Sequence, residues 1–474
     1  MPFKRDMKKL WIVIAAGMLL GGCTYGRVER KPEGLRFPEL RAVEKPQFTR
    51  ERLANGMTVF LMEDRTLPLV SFQALIHTGA IYEPAEKTGL AEITFETLRT
   101  GGAGSLSGDG MDYALERIGA RISTGIDRDI AWVEGLSHRE DFPSVFGIFH
   151  DILTAPSFEQ EKISLAVIGK KGEIRRRNDD ISGIAEREFR RIVYGKESPY
   201  ARISEYATID SIRREDLVEF YGRFVCPSNI ILGVWGDFDT ADMLEKVRGT
   251  FGGWQKERIE KPSRIEVQFP ETAHLNMIVK KDATQSVIMM GHGGLRRDHP
   301  DYFTAVVLSR ILGAGWYSRF SRRLRQEKGL AYDVWASFLG EFDYPGLFIA
   351  SAQTRMDRTF EVIGLMKKEI ESVRENVSDE ELAVAKDGIL NSEVFWSDTK
   401  DKIIRRLMRY EYYGYPLDYP DRLIEGVKKV TGQDVIRVAN ELLLPGRLTV
   451  LVVGSPEKFD VPPPADTNTI PLNP

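Results

Sequence analysis

The chain has 474 residues, 42% of them hydrophobic and 29% charged, and a formal net charge of -4. That length exceeds one ordinary core and suits two domains of roughly 200 residues each. The composition is globular, and the near balance of charge, with no basic stripe carrying interleaved aromatics, argues against a nucleic-acid partner.

At the N-terminus Lys4, Arg5, Lys8 and Lys9 precede the apolar run LWIVIAAGMLL. The run is about a dozen residues, against the roughly twenty that a membrane span needs, so it reads as a secretory signal. Leu20-Gly21-Gly22-Cys23 resembles a bacterial lipobox. That resemblance implies a signal peptide over 1–22, diacylglycerol on Cys23, and a lipid anchor that holds the protein at a membrane without crossing it. Thr24 is not an inner-membrane retention residue of the Asp type, so the expected location is the cell envelope, on the periplasmic face of the outer membrane. Residues 23–46, polar and dotted with proline, read as a membrane tether. The other cysteine, Cys226 in FVCPSN, is expected to be a buried, inert thiol.

A first domain is expected over 47–261. Leu53-Ala54-Asn55-Gly56-Met57 predicts a hairpin turn, and strands follow at 58–62 and 69–77. In TGLAEITFETLRTGG, residues 88–102, the side chains of Leu90, Ala91, Ile93, Phe95 and Leu98 make one apolar helical stripe, which Gly101 and Gly102 stop. Glu92, Glu96 and Arg99 form a surface column on that helix, expected to be held by i,i+3 and i,i+4 contacts. Next come a helix over 111–119 and a hairpin over 120–137, turning at Asp127-Arg128-Asp129. Helices are expected over 141–153, 159–177 and 214–224, and a strand over 230–235. The glycines of 101–110 follow a helix instead of linking a strand to one, so they are not a phosphate loop.

The second half repeats the first. Ser286–His292 with the following GGLRRDHPD parallels Ser71–Tyr82, Tyr344–Met366 parallels Ile130–Leu153, SDEELAVAKDGIL parallels EQEKISLAVIGKKGEI, and LLPGRLTVLVVGSP parallels VCPSNIILGVWGDF. The fold class is therefore α+β, two homologous halves, each an antiparallel-rich sheet with helices packed on one face. A linker over 262–272 leads to a second domain over 273–460, and 461–474 is expected to be a disordered tail.

The helix after Thr88 resembles the G-x-A-H-x-x-E-H signature of the insulinase and pitrilysin (inverzincin) family, to which the mitochondrial processing peptidases belong. Gly89 and Ala91 match it. Glu92 then stands at the first His, Phe95 at the catalytic Glu and Glu96 at the second His, while Glu173 stands at the downstream Glu ligand. Catalytic zinc wants two imidazoles, a carboxylate and a free position for water. Three carboxylates make an oxygen-only set suited to magnesium, calcium or manganese, and Phe95 cannot accept a proton, so the general base is missing. None of the six histidines forms a close pair on one helix.

SRFSRRLRQEKGLAYDVWAS, residues 318–337, resembles S-R-L-x-x-x-L-R-E-x-x-G-L-A-Y-S-V of the same family. There an Arg and a Tyr hold the substrate backbone; here they are Arg325, in the last turn of a helix ending at Gly329, and Tyr332 on the strand that follows. A guanidinium and a phenol can both donate to a carbonyl or an oxyanion. The resemblance implies a mitochondrial processing peptidase-like clamshell, with this chain as its non-catalytic member, inactive alone. It implies no cofactor here, zinc in an HxxEH-bearing partner, and a peptide substrate added partly to the sheet edge at Ala120–Thr124. The alternative is a stand-alone periplasmic peptide-binding or scaffold protein. A third reading is a hydrolase using Glu92, Glu96 and Glu173 as oxygen ligands.

Overall fold

The Asn55-Gly56 turn forms as its residue types require. Gly56 takes φ +91°, the Gly56 N–H donates to the Leu53 carbonyl and the Leu53 N–H to that of Met57, both at 2.9 Å. A computed structural model describes residues 46–256, 266–271 and 273–472. The expected signal peptide, Cys23 and the tether as far as residue 45 lie outside the described residues, as does part of the expected linker.

The first half runs β1 (Thr49–Arg52), β2 (Thr58–Glu63), β3 (Leu69–Ile76), α1 (Leu90–Thr100), α2 (Gly108–Glu116), β4 (Arg121–Ile126) and β5 (Ala131–His138). It continues through α3 (Phe142–Thr154), α4 (Gln160–Arg176), α5 (Ile181–Tyr194), α6 (Tyr206–Ser211), α7 (Arg214–Phe224), β6 (Ile230–Gly236) and α8 (Thr240–Phe251). The second half runs β7 (Leu275–Val279), β8 (Ser286–Gly293), α9 (Tyr302–Leu312), a π-helix (Ser321–Glu327), β9 (Ala331–Leu339), β10 (Leu347–Thr354) and α10 (Thr359–Ser372). It ends with α11 (Asp379–Phe395), α12 (Lys400–Tyr413), α13 (Tyr419–Lys429), α14 (Gly432–Leu442), β11 (Thr449–Gly454) and β12 (Asn468–Thr469).

The strand orders are β1-β2-β6-β3-β5-β4 and β12-β7-β11-β8-β10-β9. Position by position β2, β6, β3, β5 and β4 answer to β7, β11, β8, β10 and β9, so the repeat read in the sequence is one of topology. Only the outermost strand differs. In the first sheet it is the N-terminal β1, antiparallel to β2. In the second it is β12, parallel to β7. Residues 461–472, expected to belong to a disordered tail, thus return to the sheet: Ile470 N–H donates to Met277 O at 2.8 Å, and Ile470 and Leu472 pack on the core. Edge groups of β7 would otherwise stay unpaired, which favours the return.

Each half carries its own helices on one face of its sheet, over a separate core. The central strands β6 and β11, however, are buried along their whole length, so the opposite faces need cover as well. They receive it from the other half. From α5, Ile184, Phe189 and Val193 lie against Val287, Met289 and Leu451 of the second sheet. From α12, Ile404, Leu407 and Met408 lie against Phe60, Ile231 and Trp235 of the first. A Cβ at Gly233 would stand 2.2 Å from the Met408 sulfur, so the close approach of α12 requires that glycine. Lys400 Nζ donates to Glu63 O at 2.7 Å and Arg405 pairs with Glu134 at 2.6 Å, further tying the halves. The described residues from 47 onward accordingly form one unit. Cys226 is a free, buried thiol, as expected.

Candidate functional site

α1 begins at Gly89, whose φ of +106° is costly for any other residue. A Cβ there would lie 2.5 Å from Ile209 Cδ1. Ala91 is wholly buried. The Gly and Ala of the sequence signature thus persist for reasons of backbone and packing, whatever becomes of the ligand positions. The buried Glu83 caps the helix: the N–H groups of Gly89 and Ala91 donate to its two carboxyl oxygens at 3.1 and 2.9 Å. Burial pushes this carboxyl up to about 7, against those two donors, with Glu92 adding to the rise and Arg202 opposing it. Since the folded value lies above the unfolded one, this group's contribution is complete below about pH 4.5 and is lost as pH rises through 7. Tm measured from pH 5 to 7.5 should fall by an amount that Glu83→Gln, a mimic of the protonated acid, removes. An unchanged slope in the variant would exclude Glu83 as its source.

Phe95, which the sequence resemblance sets at the catalytic base, points into the core with 1% of its surface exposed. Glu92 and Glu96 lie on the outer side of α1. The expected column of contacts within the helix does not form, because partners on neighbouring elements come closer. Arg99 pairs with Asp112 of α2 and its Nε donates to Ile122 O of β4 at 3.1 Å. Glu92 pairs with Lys170 of α4. Lys170 also donates to Glu173, one helical turn on, at 2.7 Å. The Lys170 side chain is only 15% exposed. Burial works against its ammonium, but Glu92 and Glu173 overcome this and hold it above its ordinary value. Burial raises the Glu96 carboxyl; Lys170 opposes the rise, and Glu173 and Glu92 add to it. The structure therefore gathers Glu92, Glu96 and Glu173 around a lysine that sequence reasoning missed. Its one legible signal was its place three residues before Glu173.

The Arg325–Tyr332 segment is built quite differently. Arg319 is buried and anchors it: Nε and Nη2 each meet Glu381 at 2.8 Å, Nη1 donates to Ser372 Oγ at 3.0 Å, and Nη2 also donates to Asn376 O at 2.6 Å. The helix that carries Arg325 is of the π type, a form found mostly as short insertions and often at functional sites. Gly329, at φ +62°, turns the chain into β9. There the register with β10 pairs Gln353 with Asp333 and Thr354 with Ala331, which leaves Tyr332 as the extra residue of a bulge. The bulge turns Tyr332 outward, 79% exposed. The Arg325 guanidinium lies 5.4 Å from its ring centre and 4.5 Å from that of Trp316, itself exposed. Gln326 Nε2 holds the Trp316 carbonyl at 2.9 Å. Arg325 and Tyr332 are thus brought together as expected, on a bulge and beside a tryptophan that were not.

The carboxylate cluster lies on helices α1 and α4, whereas Arg325 and Tyr332 lie on the π-helix and on β9, an edge strand of the second sheet as β4 is of the first. Among the described residues no hydrogen bond, ion pair or ring contact joins the two clusters. On the β4 edge Arg99 occupies the Ile122 carbonyl, and the Thr124 hydroxyl donates to Phe95 O of α1.

Comparison with known proteins bears on the fold and the family. Residues 58–195 match the insulinase (peptidase family M16) domain and residues 211–389 the peptidase M16 inactive domain. The chain belongs to the M16 peptidase family. An uncharacterized zinc protease of Rickettsia felis is 23% identical over 406 residues, spanning 84% of this chain and 95% of the relative. YmxG of Helicobacter pylori, described as a non-peptidase homolog, is 20% identical over 436 residues, spanning 90% and 94%. The crystal structure of a peptidase M16 inactive domain from Pseudomonas fluorescens superposes with a TM-score of 0.78 at 21% identity, covering 86% of this chain and 98% of that one.

M16 peptidases imply zinc, and the residues that the sequence resemblance sets at the ligand positions do not fit it. No imidazole is present, the base position holds a core phenylalanine, and an ammonium already sits on two of the three carboxylates. Among the described residues no group of three or more His, Cys, Asp or Glu side chains converges as a metal-binding set.

Proposed function

We propose that this M16 chain is the non-catalytic, substrate-binding subunit of a heteromeric peptidase that cleaves peptides in the cell envelope. The observation that carries the reading is an asymmetry. The zinc positions are closed by a core Phe95 and an ion-paired Lys170, while Tyr332 is presented outward and the half-buried Arg325 stacks beside it, a guanidinium and a phenol that can donate to a carbonyl. A clamshell partner bearing HxxEH supplies zinc and base. Arg325 and Tyr332 bind the scissile carbonyl and stabilise the oxyanion that forms on it. The peptide backbone extends the sheet at β4. Lipid on Cys23 anchors the complex to the periplasmic face of the outer membrane.

Extraction from native membranes in mild detergent, followed by identification of co-purifying chains, tests this. The expected result is a stoichiometric HxxEH chain. A lone chain that still binds unstructured peptides supports the second reading, a stand-alone peptide-binding or scaffold protein. The exposed Trp316, Tyr317 and Tyr332 would serve that reading equally well, and the description of YmxG as a non-peptidase homolog is consistent with it.

A further inference from the structure

The family's metal position is not merely vacated in this chain; it is filled. Glu92 on α1 and Glu173 on α4 both engage the Lys170 ammonium, and Glu96 lies close enough to feel all three charges. An ammonium is a compact point charge with three donors, so it can serve several carboxylates at once, as a cation does. It is also delivered by the backbone of the same helix that carries Glu173, which fixes its place without any ligand. Lys170 is more enclosed than either carboxylate it holds: its side chain is 15% exposed, against 45% for Glu92 and 62% for Glu173. The ion pairs are therefore organised around the lysine.

We infer that Lys170 is a built-in cation that replaces the family's metal, clasping α4 to α1 and shutting divalent ions out of the Glu92, Glu96 and Glu173 set. Its removal would leave Glu92 and Glu173, the two carboxylates it now joins, without a counter-charge, and Glu96 within electrostatic reach of both. An oxygen-only set of that kind prefers a hard dication such as manganese or calcium to zinc. Lys170→Met should accordingly convert the clasp into a divalent-ion site, since methionine keeps the length of the stem and deletes the charge.

Manganese(II) provides the probe, with binding read by electron paramagnetic resonance and stability by Tm. The full-length chain should bind no stoichiometric manganese and show no Tm shift in millimolar manganese. Lys170→Met should melt a few degrees lower in metal-free buffer, bind about one manganese per chain, and recover the lost degrees when manganese is added. Glu92→Gln placed on that background should weaken manganese binding at least tenfold. Lys170→Arg, which keeps the charge, should remain manganese-free. Stoichiometric manganese on the unsubstituted chain overturns the inference even if Lys170→Met fails to fold. A folded Lys170→Met with unchanged Tm and no manganese overturns it as well. Neither measurement depends on a partner chain or on proteolysis, so the outcome is independent of the subunit role proposed above.

Discussion

Tyr332→Phe lowers turnover by the assembled peptidase about a hundredfold, the order expected on removing one oxyanion donor, and leaves Tm within a degree of the parent. The expectation follows from where the hydroxyl lies. Tyr332 is 79% exposed on a bulge, and its ring loses nothing on becoming phenylalanine, so the contact with Arg325 survives. A hydroxyl of this kind contributes little to folding, because surface changes usually fall within about 0.5 kcal/mol. Arg325→Lys provides the companion test. It keeps a positive charge but loses the planar donor fork that stacks on Trp316 and Tyr332, and it should impair turnover with little effect on stability. A split between kcat and KM separates the two residues' roles: loss in kcat marks stabilisation of the transition state, loss confined to KM marks uniform binding. Unchanged turnover in Tyr332→Phe would remove the residue from the mechanism.

Phe189→Ala should destabilise the chain by about 3–5 kcal/mol, the range for deleting a fully buried aromatic ring. Phe189 belongs to the first half by sequence, yet its ring lies on the second sheet with Ile184, Val193, Met289 and Leu451. Because α12 makes the reverse crossing onto the first sheet, damage at Phe189 should lower one shared transition instead of splitting the halves. Chemical denaturation followed by tryptophan fluorescence and by far-ultraviolet circular dichroism checks this. Coincident curves with a reduced midpoint are expected. A loss below about 1 kcal/mol, or two separated transitions, would show that the halves fold and hold independently.

How much of this could be read beforehand differs by residue. The alternation of β5, the Asn55-Gly56 turn and the stripe on α1 are local, and local pattern fixes them. The repeat was visible because both halves place their glycines, strands and helices in the same order. The crossing of α5 and α12 was not. Each carries a legible apolar stripe, Ile184, Phe189 and Val193 in one and Ile404, Leu407 and Met408 in the other, but which sheet a stripe covers is a tertiary fact. The same holds for Lys170, whose tie to Glu173 is local while its tie to Glu92 requires α4 to pack on α1. Tyr332 was singled out from its motif, yet its outward direction comes from the register of β9 on β10. Residues 461–472 read as disordered from their prolines, and the open edge of β7 gave Asn468 and Thr469 a partner that composition does not reveal.

Cleavage of an unstructured peptide, followed by mass spectrometry, bears most directly on whether this chain is a subunit that needs another's zinc. The assay compares the chain alone, the co-purifying HxxEH chain alone, and the two combined, each with and without a chelator. Cleavage that requires both chains, and that the chelator abolishes, is the predicted result. Cleavage by this chain alone, or a combined activity no greater than that of the HxxEH chain by itself, contradicts it.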